Sequence, residues 1–132
     1  MISAATGSSK SVLGRYNKII FTYSQFGNFA YYGVRIISQK TLRNFYRQKI
    51  YAHSEQAIRS WYAEVKYAVW ESPGEIKLQY YNASILKDKR VVINIAGNKY
   101  RIVVKIHYNM HIVFIRFVGT HQQFDTIDPE TI

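Results

Sequence analysis

The chain has 132 residues, 48% apolar and 20% charged, which is a globular composition and about one domain's worth of length. It has no cysteine, so disulfides, thiolate metal sites and a cysteine nucleophile are excluded. Eighteen Lys and Arg against eight Asp and Glu give a net charge of +10, which favours a polyanion or an acidic protein surface as partner. No window approaches the roughly 18 unbroken apolar residues of a membrane span.

Residues 1–33 hold Lys10, Arg15 and Lys18 and no acid, with Tyr16, Phe21, Tyr23, Phe26, Phe29, Tyr31 and Tyr32 at no regular period. No unbroken apolar core with a small-residue cleavage site follows, so a signal peptide does not fit. This stretch is read as an N-terminal extension, a poorly ordered tail ahead of a domain over 34–132. The domain keeps a net charge of +7, so the basic character belongs to it.

Val34–Ile37 reads as a short strand. Ser38 offers an N-cap to a helix carrying Leu42, Phe45 and Tyr46 on one face, with Arg43 and Arg47 outside. Ser54 offers a cap to a second helix with the stripe Ile58, Trp61, Tyr62, Val65 and Val69, which Pro73-Gly74 should end. An antiparallel helix pair is expected. A connector, 75–89, follows, with one helical turn near Ile76–Tyr80. Arg90–Ile95 alternates, with Val91, Ile93 and Ile95 on one face. Gly97-Asn98 signals a tight turn. In Tyr100–Tyr108, Tyr100, Ile102, Val104 and Ile106 share one face, and Arg101, Val103, Lys105 and His107 share the other. After an Asn109-Met110 turn, His111–Val118 is nearly continuously apolar, as an interior strand is. The expected fold is α+β: a short strand, a helix pair, then an antiparallel meander with the helices on one face.

The chemistry is then narrowed by elimination. His53, His107, His111 and His121 are scattered, and His107 and His111 are separated by a turn, so no metal centre is expected. Gly-x-Ser-x-Gly and phosphate-binding glycine loops are absent, and no cofactor is expected. What remains is basic. Lys87, Lys89, Arg90, Lys99, Arg101, Lys105 and Arg116 are accompanied by one acid, Asp88. Such a stretch is either a solvated strand face or a phosphate-binding face, with Tyr100 and Tyr108 available to stack on bases. His121 follows the last apolar strand and is expected in a loop. There it is either a loop hydrogen-bonder or a proton carrier, because imidazole exchanges protons near neutrality. Metal-free RNA cleavage needs a base for the ribose 2′-hydroxyl, an acid for the leaving 5′-oxygen and cations for the phosphorane.

Several strings carry a family resemblance: Val34-Arg35-Ile36-Ile37-Ser38 through Thr41-Leu42-Arg43, Ala57-Ile58-Arg59-Ser60-Trp61-Tyr62, and Asn82-Ala83-Ser84-Ile85-Leu86-Lys87. The strongest are Arg90-Val91-Val92-Ile93-Asn94-Ile95, Gly97-Asn98-Lys99-Tyr100-Arg101, and Phe114-Ile115-Arg116-Phe117-Val118-Gly119-Thr120-His121 with Asp125. Over 34–132 the chain resembles HigB-type toxins of the RelE-like superfamily of mRNA interferases. The resemblance implies a bacterial cytoplasmic endoribonuclease that cuts mRNA on the ribosome without a metal or cofactor. It also implies neutralisation by a HigA-type antitoxin. It implies catalytic roles for Arg101, matching a Tyr-Arg pair on the middle strand, and for His121, in the loop after the last strand. Lys87, Lys89, Arg90, Lys99, Tyr100 and Lys105 are the expected RNA-binding residues. The lysines some relatives carry on the strand before the Tyr-Arg pair are missing, with Lys87, Lys89 or Arg90 at its start as the expected substitutes. The tyrosine some members use near the C-terminus has no clear counterpart, Phe124 lying close by without a hydroxyl. The usual family start aligns with Val34, so residues 1–33 are alternatively translated upstream sequence. The competing function is a non-catalytic RNA- or ribosome-binding module. A third reading is an interaction protein for an acidic partner.

Overall fold

A computed structural model of the chain describes residues 33–132. The two readings of the N-terminal extension therefore fall on residues outside the described ones, apart from Gly33. In chain order the elements are β1 (Arg35–Ile37), α1 (Gln39–Tyr46), a 3-10 segment (Lys49–Ser54), α2 (Glu55–Lys66) and α3 (Pro73–Gln79). They continue with β2 (Ser84–Ile85), β3 (Arg90–Ile95), β4 (Tyr100–His107), β5 (Ile112–Thr120) and α4 (His121–Phe124).

The strands form one sheet in the order β1-β5-β4-β3-β2. The expected meander is present: β3 pairs antiparallel with β4, and β4 with β5. The β3–β4 turn takes positive φ at Ala96, Gly97 and Asn98, a conformation for which glycine and asparagine are suited. The apolar β5 is interior, flanked by β4 and by β1, which runs parallel to it with Ile36 beside Val113. A bulge between Val103 and Val104 shifts the β4–β5 register, so that Val103 faces Phe117 and Val104 faces Ile115.

Both alternation patterns hold. Val91, Ile93, Ile95, Tyr100, Ile102, Val104 and Ile106 are buried in one core with Leu42, Phe45, Tyr46, Ile58, Trp61, Val65 and Ile76 of the helices. Helices α1–α3 thus cover one sheet face; Arg101, Val103, Lys105 and His107 point to the other, where Val92, Val103 and Arg90 are buried as well.

Three details of the helices differ from expectation. Ser38 makes no side-chain cap; it sits at φ 75°, and its carbonyl takes the Thr41 N–H at 2.9 Å. Ser54 is fully buried and donates back to the Tyr51 carbonyl at 2.6 Å. The 3-10 segment runs straight into α2, leaving no free helix start for Ser54 to cap. Pro73 does not end α2, which stops at Lys66 and leaves Val69 buried in the loop beyond it. Pro73 instead begins α3, where its missing N–H costs nothing. The connector also holds a two-residue edge strand, β2.

Candidate functional site

The β4–β5 register places Tyr100 opposite Thr120 and Arg101 opposite Gly119. His121 follows directly as the first residue of α4, so it heads a short helix rather than lying in a loop. Its N–H donates to the Lys99 carbonyl at 3.3 Å, which ties the helix start to the β3–β4 turn. The sequence Thr120-x-x-Gln123 closes a capping box: the Gln123 N–H donates to Thr120 Oγ1 at 3.1 Å, and the Thr120 N–H to Gln123 Oε1 at 2.8 Å. Lys99, Arg101 and His121 are thereby gathered at one end of the open sheet face.

The His121 imidazole is exposed, with Nδ1 3.3 Å from Asp125 Oδ2, one helical turn on. A carboxylate at Nδ1 orients the ring and leaves Nε2 to accept or give a proton. The Arg101 guanidinium lies 4.7 Å above the Phe124 ring, which in turn meets Phe117 edge-on at 6.3 Å. Phe124 therefore steers the arginine. Arg101 Nε and Asn94 Oδ1 belong to directly paired residues, and both are buried with no hydrogen-bond partner among the described residues. An unpaired buried donor costs about 1–3 kcal/mol, a cost that Arg90 Nε, buried and likewise without a partner among the described residues, also bears.

The other expected RNA-binding residues are dispersed. Tyr100 lies on the core face, 4% exposed, with its hydroxyl 2.5 Å from His53 Nε2. Burial pushes its phenol above the ordinary range, so it keeps its proton and can donate to that nitrogen. It cannot stack on a base from there. Lys99 is exposed on the β3–β4 turn, beside the site. Lys105 meets Asp88 at 3.1 Å, and their hydrogen bond, with the lysine's charge, holds the Asp88 carboxyl below the usual range. Lys87 meets Glu130 at 3.5 Å, and Lys89 is exposed near Asp88. Arg90 is buried, with its guanidinium donating to the Ile132 main-chain oxygen. Arg116 donates to that same oxygen at 3.3 Å. The C-terminal segment thus crosses the face and engages Lys87, Arg90 and Arg116.

Asp125, Gln123 and Tyr51 were not singled out as site residues from sequence. Two signals were available: the Thr-x-x-Gln capping pattern and the four-residue spacing of His121 and Asp125. Gln123 also donates through Nε2 to the Tyr51 hydroxyl at 3.0 Å, a contact across 72 positions that no local pattern foretells. Among the described residues no group of three or more His, Asp or Glu could hold a metal ion, and no helix is long and apolar enough to cross a membrane.

Fold and charge together define a small basic α+β domain whose candidate arginine lies on the sheet face away from α1–α3 and whose candidate histidine heads α4 at the end of that face. The family model for the RelE-like toxic component of a toxin–antitoxin system, HigB_toxin, matches residues 54–127, more than half of the chain. The chain belongs to that family, and its partner is an antitoxin. The match runs from the end of the 3-10 segment to just past α4, so it includes Arg101, His121 and Asp125. No curated protein sequence matches the chain.

Proposed function

We propose that this toxin is an mRNA interferase, an endoribonuclease of the bacterial cytoplasm that cuts mRNA on the ribosome and is neutralised by a HigA-type antitoxin. The observation that carries the reading is the placement of an Asp125-oriented imidazole directly after the end of β5, where Gly119 pairs with Arg101, at one end of a cationic sheet face. His121 Nε2 takes the proton of the ribose 2′-hydroxyl, and the 2′-oxygen attacks the adjacent phosphorus. The guanidinium of Arg101 stays charged at any relevant pH and neutralises the phosphorane. The bond from phosphorus to the 5′-oxygen then breaks. Lys99 gives that oxygen its proton, leaving a 2′,3′-cyclic phosphate and a 5′-hydroxyl. The reaction draws on the 2′-hydroxyl and so is confined to RNA. Lys89, exposed and outside these ion pairs, guides the strand by phosphate contacts, and Lys87 and Lys105 add to them only where RNA displaces Glu130 and Asp88.

Induced expression without the antitoxin, with 5′-end mapping of cellular mRNA, tests this reading. Growth arrest with new 5′-hydroxyl ends is expected, and both should vanish on co-expression of the adjacent antitoxin gene. Arrest without new ends, persisting in an Arg101→Ala, His121→Ala double variant, would replace cleavage with inhibition by binding alone.

A further inference from the structure

The 3-10 segment contributes two side chains that reach the site end of the sheet from beneath. The Tyr51 hydroxyl accepts from Gln123 Nε2 at 3.0 Å, and His53 meets the Tyr100 hydroxyl. The Tyr51 ring is itself fixed, stacked on Phe45 with centroids 4.4 Å apart, and Phe45 lies edge-on to Tyr100 at 5.8 Å. Gln123 is engaged at both ends of its amide: Oε1 takes the Thr120 N–H, and Nε2 reaches Tyr51. Its own N–H goes to Thr120 Oγ1. α4 has only four residues and no buried residue of its own, so helix propensity and burial do little to hold it. Its orientation is instead set by the capping box, the link to Tyr51 and the bond from the His121 N–H to the Lys99 carbonyl.

We propose that Tyr51 and Gln123 are positioning residues, which fix the first turn of α4 on the 3-10 segment and so hold the His121 imidazole in register with Arg101. This rests on the proton-carrying role of His121 proposed above. A hydrogen-bonded tether of this kind governs geometry more than folding, and a displacement of about 1 Å in a reacting group is enough to cost up to a hundredfold in rate.

The test uses single-turnover cleavage of a defined mRNA on programmed ribosomes, with NMR titration of the His121 ring as a second readout that does not need activity. Tyr51→Phe removes one hydroxyl and keeps the ring stack on Phe45. It should lower the cleavage rate about tenfold at unchanged half-saturating toxin concentration, with the melting temperature nearly unmoved. Gln123→Ala should do the same or more. Gln123→Glu should recover to within about threefold, because a carboxylate accepts both the Thr120 N–H and a Tyr51 O–H turned toward it. The His121 ring resonances should shift in Tyr51→Phe and return in Gln123→Glu. If His121→Ala is inactive while Tyr51→Phe and Gln123→Ala cut at the parent rate, positioning is overturned and the catalytic reading stands. If His121→Ala cuts at the parent rate, the catalytic reading falls. The resonances then decide positioning alone, and unchanged spectra in Tyr51→Phe overturn it. If Gln123→Ala fails to fold, Tyr51→Phe carries the test.

Discussion

The two ends of the open sheet face use their cations in opposite ways. Where β4 begins and β5 ends, Arg101 rests on an aromatic ring with no ion pair among the described residues, and Lys99 stands exposed on its turn. Where β3 begins and β4 ends, Lys105 meets Asp88, Lys87 meets Glu130, and Arg90 and Arg116 grip the main-chain oxygen of Ile132. Count and sequence spacing do not separate these ends. The distinction comes from what each charge already touches: a cation with a protein partner helps hold the fold, and one without is available to a phosphate.

The largest expected effect is a double dissociation between the ends. His121→Ala should lower single-turnover cleavage by roughly 10²–10⁴, the usual loss for a missing acid or base. It should barely change stability, because an exposed pair such as His121–Asp125 is worth at most about 1 kcal/mol. Arg90→Ala should behave in reverse. It strips a buried stem and a charge-assisted hydrogen bond, and should destabilise by about 2 kcal/mol. The folded fraction should still cut within about threefold of the parent. Thermal melts run beside ribosome-programmed cleavage check both. A folded Arg90→Ala protein that fails to cut would show that the gripped end contacts RNA after all.

Gly119→Ala probes the Arg101 end through the backbone opposite that arginine, where the expected effect is intermediate. A Cβ there would stand 2.6 Å from Phe117 Cζ and 2.8 Å from Gln123 Oε1. Both side chains must give way, and Gln123 cannot do so without releasing the Thr120 N–H. A stability loss of about 1 kcal/mol is expected, with cleavage falling about tenfold, more than the loss of folded protein explains. Equal losses of cleavage and of folded protein would mean that the α4 junction tolerates displacement.

Much of this was legible before the structure. Alternation in 90–95 and 100–108 put Arg101 and Lys105 on one face and the core on the other, because a strand's side chains obey a period of two. Gly97-Asn98 fixed the turn. The helix ends were harder to read. Ser38 and Ser54 are residues that cap helices, yet the tertiary path sets one at positive φ and buries the other. Pro73 reads equally as a stop or a start until the length of α2 is known. At the site, the positions of Arg101 and His121 followed from strand ends. Their support did not, because Tyr51–Gln123 and Arg90–Ile132 join residues far apart in the chain. Tyr100 was drawn toward RNA by its place beside Arg101, although strand alternation already turned it toward the core.

The smallest effect lies at the paired end, and pH reveals it. Lys105 holds the Asp88 carboxyl below its unfolded value of about 3.9. A carboxyl depressed on folding contributes stability that is complete above the unfolded value and is lost as pH falls through the folded one. Asp88→Asn lacks that contribution at every pH. The melting temperatures of parent and variant should therefore differ slightly at neutral pH, by about 1 °C, and converge in acid below the depressed value. Because Asp88 is solvent-exposed, the neutral difference should also shrink as salt rises past a few hundred millimolar. The variant leaves Lys105 without its acid, so RNA affinity at low salt should rise modestly, with a steeper salt dependence. Convergent melting curves without that steeper dependence would mean that Lys105 serves the fold alone, and that the phosphate track stops at the Arg101 end of the sheet.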